Sequence, residues 1–121
     1  MKKFRKREGR CYELSGQHLL FDQKEFKGWY LVHGVYRWPP GPPEDESIDI
    51  DHAWLEDDLH VFDPVKAEYF TKQSFYKDFD VRNVRRYTLK DAAKMIRQHS
   101  HWGPWNSLSK TSKAQERGTK P

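Results

Sequence analysis

Two short apolar-rich runs, His52-Ala53-Trp54-Leu55-Glu56 and Leu59-His60-Val61-Phe62-Asp63, are separated by only Asp57-Asp58. A gap that short leaves one local solution, an antiparallel hairpin closed by a two-residue turn. With Asp57-Asp58 as the turn, His52 stands directly across from Asp63 on one face. Cross-strand Cβ atoms there are roughly 4.5–5.5 Å apart. A carboxylate in that place accepts the imidazole N–H, fixes its tautomer and stabilises the imidazolium. A one-residue slip would send Asp63 to the opposite face.

Around this hairpin the chain alternates helical and extended patterns. From Cys11 to about Asp22, Cys11, Leu14, Ser15, His18 and Leu19 fall on one helical face. Gly16 there either weakens the helix or admits a close neighbour. Gly28 to Trp38 is rich in aromatic and β-branched residues and reads as a strand. Pro39-Pro40-Gly41-Pro42-Pro43-Glu44-Asp45-Glu46 cannot pair in a sheet and reads as an exposed loop. Glu68-Tyr69-Phe70 and Val81 to Arg85 are further strand segments. Thr88 followed by Asp91 signals a helix start. That helix runs to about Gln98, burying Leu89, Ala92, Ala93 and Ile96, and His99 to Trp105 ends it. Residues 1–105 are expected to form one α+β domain, with an early helix, extended segments and a second helix near the C-terminus. Residues 106–121 lack apolar periodicity and are expected to be a disordered basic tail.

Composition narrows the classes. The chain has 121 residues, the size of one domain, and a mean hydropathy of −1.06. A core drawn from so few aliphatics leans on five Trp, six Tyr and seven Phe, each burying roughly 150–250 Å². No apolar run approaches the roughly 18 residues of a membrane span, and no apolar signal segment follows the basic start. The expectation is a cytoplasmic protein without a membrane partner. Cys11 is the only cysteine, so no intramolecular disulfide forms. Net charge is +4, with six Lys or Arg among residues 1–10 and four more in the tail after Ser107. Basic ends can attract nucleic acid, but no RNA-recognition, helix-turn-helix or zinc-finger signature accompanies them.

A thiol at a helix start, an imidazole and a carboxylate make a nucleophilic site. Cys at a helix start, His in His52-Ala53-Trp54 and Asp in Phe62-Asp63-Pro64 resemble the transglutaminase-like branch of the papain-like cysteine enzymes. The resemblance covers about Cys11 to Val65. It implies Cys11 as nucleophile, His52 as general base then acid, and Asp63 as the orienting carboxylate, on a helix packed against a small antiparallel sheet. It implies a hydrolase, deamidase or acyl transferase acting on an amide of a protein or peptide, with no cofactor and no metal. The family often has Trp beside the nucleophile, whereas Tyr12 follows it here. The backbone N–H of Cys11 is one oxyanion donor; no upstream side chain supplies a second. The alternative is a non-catalytic module binding protein or nucleic acid on the same fold.

The remaining histidines read as structural. His18 packs two turns along the first helix, His33 sits within the long strand, and His60 points away from the His52 face. His99 and His101 lack the neighbouring carboxylate or Cys of a metal site. Trp102, Gly103, Pro104 and Trp105 are expected to cover an apolar surface.

Overall fold

The computed structural model describes residues 10–105. The basic lead-in and the tail from 106 to 121 lie outside the described residues. Helix α1 (Cys11–Phe21) and the short α2 (Gln23–Phe26) precede strand β1 (Tyr30–Trp38). The proline-rich loop, with one 3-10 turn at Glu44–Glu46, leads into β2 (Ile48–Glu56). Strands β3 (His60–Asp63) and β4 (Glu68–Thr71), helix α3 (Lys72–Asp78), strand β5 (Arg82–Tyr87) and helix α4 (Leu89–His99) complete the order. The fold is α+β: the five strands form one antiparallel sheet in the order β4-β3-β2-β1-β5.

Strand alternation sorts the side chains onto two faces. Leu31, Leu55 and Phe62 face α1, α2 and α4, where Leu19, Phe26, Ala92 and Trp105 meet them. Val32, Tyr36, Trp54 and Val61 face the other way, onto Phe75 and Phe79 around α3. Aromatic rings fill both layers, which is how a chain with few aliphatics closes two cores. The expected first helix, long strand and final helix all form. Thr88 accepts from the Asp91 N–H at 3.0 Å as the N-cap of α4. Helix α3 had no counterpart in the sequence reading. Its signals are the Thr71 cap on the Ser74 N–H at 3.2 Å and the i,i+4 pair Phe75 and Phe79.

The hairpin register differs from the expected one. Leu55 pairs with Phe62 and Glu56 with Val61, so the connection lies at Asp57–Leu59 rather than at Asp57-Asp58. The cause is the Asp57 side chain, whose Oδ1 accepts the N–H of Leu59 at 2.9 Å and of His60 at 2.7 Å. That Asx-type cap holds the turn without the positive φ values an Asp-Asp two-residue turn would require. The displacement is two residues, so the face of every side chain is preserved. Continued along the strands, the register sets Asp63 across from Trp54 and makes His52 its diagonal neighbour.

Candidate active site

His52 and Asp63 meet. The His52 Nε2 to Asp63 Oδ2 distance is 2.8 Å, with His52 3% and Asp63 0% exposed. A diagonal pair is normally too far apart for short side chains. The imidazole is long enough to bridge the gap, and it lies flat on the Tyr36 ring, 4.4 Å between centroids and 8° from parallel. Gly34 stands directly opposite His52 in β1, and a Cβ there would come 2.9 Å from the Trp54 ring. The missing side chain thus lets Trp54 settle beside the imidazole.

Asp63 is saturated. Its Oδ1 accepts the backbone N–H of Val65 at 3.0 Å and of Lys66 at 3.3 Å, and its Oδ2 also receives Lys66 Nζ at 3.2 Å. Burial alone would push this carboxyl up. The His52 hydrogen bond and charge, with the Lys66 ammonium and N–H, outweigh it and hold Asp63 at about 2. The Asp-Pro turn and the carboxylate on His52 are therefore one structure, not alternatives. With Nε2 committed to Asp63, Nδ1 is the ring nitrogen left for a nucleophile.

Cys11 sits at the N-terminus of α1, 2% exposed. Helix α1 packs on the Leu31 and Leu55 face, while His52 shares the opposite face with Trp54. The thiol meets β2 at Ala53, the residue beside His52, whose backbone hydrogen-bonds the sulfur. Pairing between β2 and β3 does not continue past Leu55 to that level. Burial pushes the thiol up to about 12. The Ala53 hydrogen bond works against this, and the Asp63 charge adds to the rise. The structure thus joins two of the three expected residues side chain to side chain and sets the third against the next residue of the same strand.

His33 is a different environment on the α1 face. It is buried, edge-on to Tyr12 at 4.7 Å and within about 5 Å of the Tyr87 and Trp105 rings. Neither ring nitrogen has a hydrogen-bond partner among the described residues. Burial, with Arg85 adding to it, lowers His33 to about 3, so it is neutral. His18 pairs with Asp22 at 2.7 Å and packs on Phe26 and Phe62. It borders a cleft of about 690 Å³ with Phe21 and Tyr69, at the far end of α1 from Cys11. His60 is exposed. Among the described residues, no group of three or more His, Cys, Asp or Glu is assembled to hold a metal, and no helix is long and apolar enough to cross a membrane.

Two residues of the site carried no sequence signal of their role. Tyr36 supplies the platform under His52, and Lys66 supplies a second cation to Asp63. Comparison with protein-family models, with curated proteins and with solved structures returns no match.

Proposed function

We propose that the chain is a cysteine-nucleophile enzyme of papain-like or transglutaminase-like type, acting on an amide carbonyl of a protein or peptide in the cytoplasm. The observation that carries the reading is the buried His52 Nε2–Asp63 Oδ2 bond, which leaves Nδ1 uncommitted on the strand whose next residue, Ala53, lies against the thiol. In the reaction the Cys11 proton passes to His52 Nδ1 as sulfur attacks the carbonyl carbon. The C–N bond breaks, and the imidazolium proton leaves with the amine. Water or another amine then attacks the thioester, His52 takes the attacker's proton, and the thiol is restored. Hydrolysis, deamidation and acyl transfer differ only in the amine lost and the attacker used.

A second reading is supported by the burial of Cys11 and the upward push on its thiol: a non-catalytic module on the same fold that binds protein or, through its basic ends, nucleic acid. An acylating ester separates the two. With p-nitrophenyl acetate the catalytic reading expects a p-nitrophenol burst and an acetyl group on Cys11 by mass spectrometry. The burst is lost in Cys11→Ala and at least about 100-fold slower in His52→Ala, the scale of general-base catalysis. Release at equal rates in the parent and both variants, with no acetyl on Cys11, sinks the catalytic reading and leaves the binding one.

A further inference from the structure

Lys66 stands in an unusual position for a lysine. Its Nζ lies 3.2 Å from Asp63 Oδ2 and 3.1 Å from the Tyr36 hydroxyl. The same ammonium sits 5.0 Å from the Tyr36 ring centroid, 5.0 Å from that of Trp38 and 5.3 Å from that of Phe79. The side chain is only 20% exposed. Three aromatic faces and a carboxylate thus fix one cation, and the carboxylate oxygen it takes is the one His52 uses. Tyr36 belongs to both arrangements, with His52 stacked on its ring and Lys66 on its hydroxyl.

We propose that Lys66 is a positioning residue that sets the charge balance of the His52–Asp63 pair. An unshared buried carboxylate would bind an imidazolium strongly and hold the proton that a base must accept and then surrender. By taking part of the charge on Oδ2, the ammonium lets Asp63 orient the ring while weakening its hold on the positive form. Among the described residues, Lys66 is the cation set on Asp63 Oδ2. Strand β3 contributes Asp63 to His52, β1 the Tyr36 ring and β2 Trp54; the Phe75 and Phe79 rings around α3 back Tyr36, and the Cys11 thiol of α1 lies at the neighbouring Ala53. The consequence for turnover rests on the catalytic reading; the effect on the imidazole does not.

The test is a pH titration of the His52 ring nitrogens by NMR in the parent chain, Lys66→Met, Lys66→Gln and Lys66→Arg. The neutral variants are expected to move the His52 titration upward by about one pH unit, the size of one nearby charge. Lys66→Arg is expected to restore the parent value. Lys66→Gln keeps a hydrogen-bond donor, so the shift persists there if charge is the cause, and it serves if the methionine variant fails to fold. In the acetyl-transfer assay the acid limb is expected to move with the titration. A His52 titration unchanged in both neutral variants, with Nε2 still protonated toward Asp63, overturns the inference whatever the activity does. A moved titration in a chain whose Cys11→Ala variant keeps its burst leaves the inference standing and removes only the enzymatic reading.

Discussion

Asp63 and Cys11 show how far burial alone determines the chemistry of a side chain. Both are buried beside β2, and burial disfavours the charged form of each. Asp63 is rescued by His52, Lys66 and two backbone N–H groups; Cys11 receives backbone hydrogen bonds and the repulsion of Asp63. Asp63→Ala leaves His52 and Lys66 without their shared acceptor and is expected to destabilise by about 3–5 kcal/mol, read by urea denaturation at pH 7. The folded Asp63 lies below its ordinary value of 3.8, so its contribution is complete above that pH and is lost as pH falls toward 2. For Cys11 the sign is reversed. The unfolded chain loses the proton first, so stability is expected to fall as pH rises from 9 toward 12. Iodoacetamide at pH 8 is therefore expected to alkylate the folded chain more slowly than the urea-unfolded chain. Faster modification of the folded chain contradicts a neutral resting thiol, and in a catalytic cycle that thiol must be deprotonated as substrate enters.

Among the elements, α1 shows what periodicity could and could not convey. Its buried positions, Cys11, Ser15, Gly16 and Leu19, largely follow the helical spacing legible in the sequence. Gly16 was legible only as a choice between weakness and close approach. The structure decides for approach, because a Cβ at Gly16 would lie 2.7 Å from the Trp102 ring. Gly16→Ala gains helix propensity of up to about 1 kcal/mol but overpacks this contact at a typical cost of about 1–3 kcal/mol. The expected net result is a lower melting temperature and a changed Trp fluorescence. An unchanged spectrum with a raised melting temperature contradicts the contact. The hairpin teaches a related lesson. Strand periodicity gave the shared face of His52 and Asp63 correctly, since it depends only on parity. The register depended on the Asp57 side chain capping its own turn, a local hydrogen-bond choice that alternation does not encode. Tyr36 was illegible for a further reason: it meets His52 across β1 and β2 and the Lys66 ammonium 30 residues away, and that second contact helps fix Lys66 on Asp63.

At the scale of the whole molecule, the α1 side of the sheet converges on His33. The ring sits between Tyr12 from α1, Tyr87 from β5 and Trp105 beyond α4, and a Cβ at Gly103 would lie 2.9 Å from it. Protonating it would place a cation among rings with no hydrogen-bond acceptor among the described residues. The folded imidazole is lowered to about 3 from an ordinary value of 6.5. A lowered histidine means the unfolded chain takes up the proton first. Its contribution is therefore complete above pH 6.5 and drains away as pH falls toward 3, by at most about 1.4 kcal/mol per pH unit for one proton. Asp63 adds its own loss only below about 4, so from pH 6.5 to 4.5 the difference between the parent and a chain without this imidazole reports His33. Across that interval the parent's unfolding free energy is expected to decline, and His33→Phe, which keeps an aromatic ring and removes the titration, is expected to give a flatter curve. Equal slopes in the two proteins show that the imidazole is hydrated or partnered in solution and that the four elements meeting at it do not form an acid-sensitive joint.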